Sequence, residues 1–396
     1  MNSPLHFQAV ARIPGKLGRA GILKTPHGDI NTPAFVTVGT QATIKAVTPE
    51  QVQETGSQVV LANTYHLYLQ PGHKTVEKLG GLHKFMNWNG PLMTDSGGFQ
   101  AFSLGAAFGK RVSKFGSESS ATDPQKSKTA LAQVDDDGVT FKSHRDGSSH
   151  RFTPEISIDI QHSLGADIIV AFDECTSPEA GKEYQALALE RTRRWAERCV
   201  ARHHDNTQKA LVQGLYGVIQ GGRHEDLRAL GAKQIADLPF DGFAIGGSFT
   251  KEDLDLPVIA ATQGLPQDKP RHLLGIGEPK DLVIGIANGC DTFDCVIPTR
   301  AGRTGTLYTW KGRVNILNAK YRESALAPEP GCACYTCTHY SQAYLNHLSH
   351  AHEMMAATLI SIHNIYFMNT LVEKLRIAIL ENTFHEMSDL IVQTYS

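Results

Sequence analysis

Eight short apolar stretches punctuate the chain, and each closes on a polar or glycine tip. They are Ala34–Val38 before Gly39, Val59–Ala62 before Asn63, Leu92–Thr94 before Asp95, and Ile168–Phe172 before Asp173. Gly217–Ile219 before Gln220, Phe243–Ile245 before Gly246, His272–Leu274 before Gly275 and Thr292–Phe293 before Asp294 complete the set. The runs are continuous rather than alternating, as strands covered on both faces of a parallel sheet must be. Between them lie helical stretches. Glu183–Arg202 has the 3.6-residue period of an amphipathic helix, and Glu225–Ile235 follows the run ending at Ile219. Strands alternating with helices predict an α/β chain with a (β/α)8 TIM barrel over residues 1–331.

The spacing is uneven. Leu92 to Ile168 is far longer than one strand–helix unit, which predicts an insertion over about 106–152. Within it, Lys114–Ala132 is rich in Ser, Thr, Lys and Ala around Asp123-Pro124 and reads as an exposed, mobile loop. Val139–Phe152 alternates about Asp146-Gly147 and predicts an antiparallel hairpin. From Cys332 the composition changes. A cysteine-rich knot precedes Ser341–Gln393, which is helical in pattern, with Met354, Met355, Leu359, Ile362 and Ile365 on one packed face. Residues 332–396 are therefore expected to form a helical subdomain packed on the barrel.

Composition narrows the function classes. With 41% hydrophobic and 20% charged residues among 396, the chain is globular and not disordered. Its apolar runs are too short to span a bilayer, and Met1–Gln8 lacks a basic segment followed by an apolar one. Seven cysteines are too few and odd in number for a disulfide framework, so a reducing, cytoplasmic location is expected. A net charge of −2 leaves a polyanion only a local patch to bind. Thr299–Arg322 is such a patch: Arg300, Arg303, Lys311, Arg313, Lys320 and Arg322 occur there with no acidic residue. It follows Asp294 directly and could hold phosphates beside a reacting ribose. An ordinary solvated basic face is the plain alternative.

Cys332-x-Cys334-x-x-Cys337 brings three thiolates together, the donor set of a closed, structural Cys3His zinc site. Four histidines close behind (His339, His347, His350 and His352) compete with His363 for the fourth place. Cys290 and Cys295 flank a predicted strand and read as packing residues. Asp95, Asp173 and Asp294 each stand at a predicted strand tip, and such tips share one mouth in a barrel. Asp95 continues into Ser96-Gly97-Gly98-Phe99, while Gln220-Gly221-Gly222 and Gly246-Gly247 repeat the glycine theme. Each aspartate alone could be a helix cap. Together with a carboxamide, backbone amides and an aromatic ring, they suit a flat ligand such as a purine. Two carboxylates are also the minimum for chemistry at a glycosidic carbon.

Thr94-Asp-Ser-Gly-Gly-Phe-Gln100, Phe172-Asp-Glu-Cys-Thr176, Gln220-Gly-Gly, Asp294-Cys-Val-Ile-Pro-Thr-Arg300 and the Cys-x-Cys-x-x-Cys…His pattern resemble the tRNA-guanine transglycosylases, in order from about Phe7 to the C-terminus. The bacterial type is the nearer match. The resemblance implies a zinc-bearing (β/α)8 barrel that exchanges the wobble guanine of tRNAs with a GUN anticodon for the 7-deazaguanine preQ1, acting as a homodimer. It implies Asp294 as the nucleophile at ribose C1′ and Asp95 as general acid/base. Asp95, Ser96, Gly97, Gly98, Asp173, Gln220 and the Gly247 backbone would bind the base, with Phe99 stacking on it. Zn²⁺ would sit on Cys332, Cys334, Cys337 and His363. Gly275, Ile276, Gly277, Glu278, Pro279, Lys280 and Asp281, with Thr299, Arg300, Ala301, Gly302 and Arg303, would contact RNA. Energy conserved in a covalent ester removes any need for a triphosphate, and no G-x-x-x-x-G-K-[ST] loop occurs. Two features depart from the family: Ser248-Phe249-Thr250 after Gly246-Gly247, and the long Lys114–Ala132 segment.

Three other readings compete. A non-catalytic subunit of a heterodimeric transglycosylase would need neither Asp95 nor Asp294. A DNA-modifying 7-deazaguanine transglycosylase is disfavoured by Pro298-Thr-Arg-Ala-Gly-Arg303. A barrel hydrolase with a catalytic metal is disfavoured because the cysteine set lies outside the strands and leaves no open position.

Overall fold

All eight predicted stretches are staves of one closed parallel barrel in the computed structural model, which describes residues 3–106, 132–177, 179–247 and 254–395. The strands are β1 (Ala34–Val38), β2 (Val59–Ala62), β3 (Leu92–Thr94), β4 (Ile168–Val170), β5 (Gly214–Ile219), β6 (Gly242–Ile245), β7 (Arg271–Leu273) and β8 (Thr292–Cys295). They pair in sequence order, and β8 closes on β1 from Thr292↔Ala34 to Cys295↔Thr37. Five strands differ in extent from the sequence expectation: β6 gains Gly242, β7 runs one residue earlier than His272–Leu274, β8 extends to Cys295, and β4 and β5 differ for visible reasons. β4 stops at Val170 because the Phe172 amide leaves the ladder and donates to Cys199 Sγ at 3.3 Å. β5 begins three residues early, where Gly214 and Gly217 broke the apolar run. Both glycines are there for space. A Cβ at Gly214 would lie 2.2 Å from Leu5, and one at Gly217 would lie 2.5 Å from Ile235 and Phe240.

Alternation along each strand splits the core in two. Val36, Val59, Leu61, Met93, Ile168, Val170, Tyr216, Val218 and Ala244 fill the barrel. Phe35, Val60, Leu92, Ile169, Leu215, Phe243, Leu273 and Phe293 face the helices, packing with Trp195, Val258, Ile286 and Leu371. Each fully buried side chain of this size stabilises the fold by about 2 kcal/mol. A three-stranded antiparallel sheet, His6–Arg12, Arg19–Thr25 and Gly28–Thr32, precedes the barrel and was not anticipated. Its Leu23 and Ile30, with Leu5 and Phe7, join the interior cluster and close the N-terminal end.

The predicted hairpin is present as Val139–Lys142 paired with Ser149–Phe152, and Ala132–Val134 adds a third antiparallel strand. The rest of the Lys114–Ala132 segment, and Ser248–Thr250, lie outside the described residues. Helices Gln342–His350, Met354–Leu380 and Phe384–Thr394 occupy the helical C-terminal stretch. Leu359, Ile362 and Ile365 are buried as expected, but Met354 is 86% exposed and Met355 is exposed too. They occupy the first turn, before the helix reaches its neighbours. Met354–Leu380 is long and apolar enough to cross a bilayer by length and composition, contrary to the reading of short runs. Most of that window is buried against protein, so it is a core helix. Asn369 donates to Thr55 O (3.1 Å) and Ser57 Oγ (2.9 Å), and Arg376 donates to Gly21 O (2.7 Å) and to Thr32 O.

Candidate active site and metal centre

The C-terminal ends of the strands bring the predicted carboxylates to one mouth. Asp95, just past β3, is half-buried. Its Oδ1 accepts from the Thr64 amide at 2.9 Å and its Oδ2 from the Asn63 carboxamide. Asn63 also caps the helix Thr64–Leu69, so one residue positions the aspartate and starts the helix.

Asp294 lies within β8 and is 8% exposed. Its Oδ1 accepts from the Gly275 amide at 2.6 Å and lies 3.1 Å from His272 Nε2. His272 Nδ1 lies 2.9 Å from the Thr292 hydroxyl. With the ring proton on Nε2, the chain runs Thr292 O–H to Nδ1 and Nε2–H to Asp294, and every donor is used. His272 is fully buried and pairs in register with Thr292. In the sequence it stands out only as a residue of the apolar run His272–Leu274. Period-two alternation between neighbouring strands, which aims His272 and Asp294 inward together, was the available signal.

Asp173 is 7% exposed. Ser96 Oγ donates to its Oδ1 at 3.2 Å and Gln220 Nε2 to its Oδ2 at 2.6 Å. Gln220 Oε1 is buried and makes no hydrogen bond, an acceptor a bound ligand could use. Glycines let these groups approach. A Cβ at Gly246 would stand 2.7 Å from Gln220 Nε2, and one at Gly98 would stand 2.9 Å from Asp173 O. Gly97 (φ +78°) and Gly247 (φ +104°) take backbone angles that side chains disfavour. Phe99 is half-buried in the first turn of Gly98–Ala106.

Arg228 was missed. It is fully buried on helix Glu225–Ala236 and donates to Gly222 O (2.7 Å), Ile219 O (2.9 Å) and Gly246 O (2.6 Å). Burial pushes its guanidinium down to about 9. It thereby ties the glycine turns after β5 and β6 to each other. No local signal identifies it, since its acceptors are remote in sequence.

The residues expected to contact RNA divide by burial. Arg300 and Arg303 are exposed; Gly275, Glu278, Lys280, Asp281 and Ala301 are partly so. Ile276, Gly277, Pro279, Thr299 and Gly302 are buried. Lys311, Arg313, Lys320 and Arg322 are also exposed, so all six cations of the basic run reach solvent. Part of that run forms a hairpin, Thr306–Thr309 with Gly312–Asn315. Glu278 holds it to the barrel by pairing with Arg313 and accepting from Tyr308 O–H at 2.9 Å.

Cys332, Cys334, Cys337 and His363 converge with their ligand atoms within 4.8 Å of one another. Their Sγ atoms lie 3.8, 3.5 and 3.3 Å from His363 Nδ1. A tetrahedral zinc ion with ordinary Zn–S and Zn–N bonds sets S···N at about 3.5 Å, so the donor set fits. His363 Nε2 donates to Tyr308 O at 2.8 Å, leaving Nδ1 to the metal. Cys334 caps helix Tyr335–His339, accepting from the Cys337 amide at 3.3 Å. Among the competing histidines, His339 and His350 face the carbonyls of Tyr335 and Leu317. With three thiolates and no open position the zinc is structural, clamping the knot to the long helix. Cys290 and Cys295 are buried in the core, as expected.

A family model described as queuine tRNA-ribosyltransferase matches residues 15–396. The queuine tRNA-ribosyltransferase of Thermoanaerobacter pseudethanolicus is 46% identical over 380 residues, covering 95% of this chain and 94% of the relative. That of Caldanaerobacter subterraneus subsp. tengcongensis is 45% identical over 394 residues, 99% of this chain and 98% of the relative. That of Geobacillus kaustophilus is 42% identical over 398 residues, 100% and 97% of the two chains. With a family model matched over residues 15–396 and identity at this level along nearly the whole length, the chain belongs to the queuine tRNA-ribosyltransferase family.

Proposed function

We propose that this chain is a tRNA-guanine transglycosylase that replaces guanine 34 of GUN-anticodon tRNAs with preQ1 through a covalent enzyme–ribose intermediate. The observation that carries the reading is the pairing of Asp294, oriented by His272 and the Gly275 amide, with Asp95 at the same barrel mouth. In the first half-reaction the Asp294 carboxylate attacks C1′ of ribose 34. The C1′–N9 bond breaks, and its electron pair leaves on guanine, which takes a proton from protonated Asp95. In the second, Asp95 removes the N9 proton of the incoming base, which attacks C1′ and expels Asp294 as a carboxylate. One ester forms and breaks, so no high-energy phosphate is consumed.

Asp173 accepts from the amine and N–H edge of the purine, and Gln220 and the Gly247 backbone read the remaining groups. Phe99 stacks on the ring. The exposed cations from Arg300 to Arg322 meet the anticodon-arm phosphates. The relatives' names give queuine as their base. PreQ1 and queuine share the purine edge addressed here. The seven cysteines carry no disulfide, which supports a cytoplasmic location. Exposed Tyr335 and Tyr344, the latter stacked on Tyr340, support a homodimer that covers them.

Labelled guanine, unmodified GUN tRNA and a DNA hairpin of the same sequence test the reading. Label should enter the tRNA alone and should be lost with Asp294→Asn. No label in either nucleic acid from folded, zinc-loaded protein would transfer the case to the non-catalytic subunit. Label in the hairpin would transfer it to a DNA-modifying enzyme.

A further inference from the structure

A second convergence of metal-ligating side chains lies at the opposite end of the barrel. His27 occupies the two-residue turn between strands Arg19–Thr25 and Gly28–Thr32. His83 is on helix Gly81–Met86, and Asp167 immediately precedes β4. Three segments remote in sequence thus meet at one point. His27 Nδ1 lies 2.6 Å from Asp167 Oδ1, and His83 Nε2 lies 3.3 Å from Oδ2. The two imidazoles stack with centroids 3.7 Å apart and planes 22° from parallel, so both present a nitrogen to one carboxylate.

Two further observations point to a cation. Asp167 is 1% exposed, yet its ion-pair partners among the described residues are these two histidines, with no lysine or arginine. A buried carboxylate without a full positive partner is costly. In addition, His83 Nε2 is buried and makes no hydrogen bond, despite its nearness to Oδ2. The Leu92 amide already donates to that oxygen at 2.8 Å.

We propose that His27, His83 and Asp167 form a second metal site, which takes a divalent transition-metal cation, Zn²⁺ foremost. Two imidazoles and one carboxylate are borderline ligands suited to Zn²⁺, with Co²⁺ and Ni²⁺ as stand-ins. The ligand atoms all lie within 4.8 Å of one another. Tetrahedral coordination asks about 3.3 Å between nitrogen and oxygen donors. His83 already meets that separation. His27 reaches it by rotating out of the ring stack, at an exposed turn where its side chain is 45% accessible. Water from that open side completes the shell. The ion pins the N-terminal sheet to helix Gly81–Met86 and to the start of β4. It lies away from the mouth that holds Asp95 and Asp294, so it is structural or regulatory and not catalytic.

Full-length, Cys3His-loaded protein titrated with Zn²⁺ against a chromophoric chelator tests this. A second equivalent should bind and raise the melting temperature. Its affinity should fall at least tenfold in both His27→Gln and His83→Gln. The first equivalent and guanine exchange should be unchanged in His27→Gln, which shows that this variant folds. Co²⁺ gives an independent reading. The second equivalent should add ligand-field bands without thiolate charge transfer, and His27→Gln should remove them. A wild-type chain that saturates at one equivalent overturns the proposal. So does a second equivalent unaltered by either substitution, which would place it elsewhere.

Discussion

Asp294 is an ordinary carboxylate until its neighbours are considered. The Gly275 amide and His272 grip one oxygen, which fixes the plane of the group before substrate arrives. His272→Ala should therefore slow formation of the covalent RNA adduct by about 10–100-fold, the usual cost of losing an orienting partner. KM for free guanine should not move, because His272 is no part of the purine edge. Single-turnover adduct formation followed on denaturing gels measures the first effect. A rise in the guanine KM with an unchanged adduct rate would reassign His272 to base binding. Arg228 makes a different residue-scale case. Arg228→Met keeps most of the volume but leaves the carbonyls of Gly222 and Gly246 without that donor, while Ile219 O keeps the Gly246 amide at 3.0 Å. At roughly 1–3 kcal/mol for each unsatisfied buried group, destabilisation of about 3 kcal/mol is expected in urea unfolding. Arg228 was invisible from sequence because its acceptors come near only in the closed barrel; His272 left a trace in strand alternation, although its partner Asp294 also meets it only there.

At the scale of elements, legibility followed burial. All eight barrel strands were readable because both their faces are covered, which leaves an apolar run that no polar face interrupts. Their ends were less so, since Gly214 and Gly217 look like breakers in sequence yet serve close packing inside β5. The N-terminal sheet escaped notice because one of its faces is exposed and its apolar residues are correspondingly scattered. The same reasoning explains the basic run. Its charge was legible, but its hairpin was not, being held by Glu278 outside the run. Gly302 marks where helix Ile297–Gly302 crosses the long C-terminal helix, and a Cβ there would meet Ser361 N at 2.9 Å. Gly302→Ala should cost about 1–3 kcal/mol of stability through overpacking, read by urea unfolding. Arg300→Ala and Arg303→Ala should instead leave stability alone, as both side chains are exposed. Each should weaken tRNA binding and reduce the slope of log K against log salt by about 1, with the guanine KM unchanged. An unaltered salt slope would mean that the patch faces solvent only.

For the molecule as a whole, stability is tied together by the helix Met354–Leu380, which carries His363 and also anchors to Thr55, Ser57, Gly21 and Thr32. Removal of the zinc should therefore lower the melting temperature of the barrel as well as release the C-terminal knot, in one cooperative transition by calorimetry. Acid acts elsewhere. His162 Nε2 lies 2.9 Å from His203 Nδ1, where helices Pro154–Leu164 and Lys182–Asp205 meet. One ring donates and the other accepts, so the acceptor must be neutral, and burial disfavours a charge on either. Burial, with the neighbouring His203 charge, pushes His162 down to about 3; burial pushes His203 down to about 4. The unfolded chain titrates both near the ordinary value of 6.5, so on acidification it takes up protons that the native state refuses. Their contribution is then fully present above pH 6.5 and is lost as pH falls toward the folded values. Between pH 7 and pH 5 each imidazole should remove about 2 kcal/mol, by the linkage relation. His203→Gln begins less stable but should lose less over the same interval, because one of the two refused protons no longer exists. Urea midpoints at pH 7, 6 and 5 decide the matter. Parallel curves for the two proteins would show that acid reaches the fold through other groups.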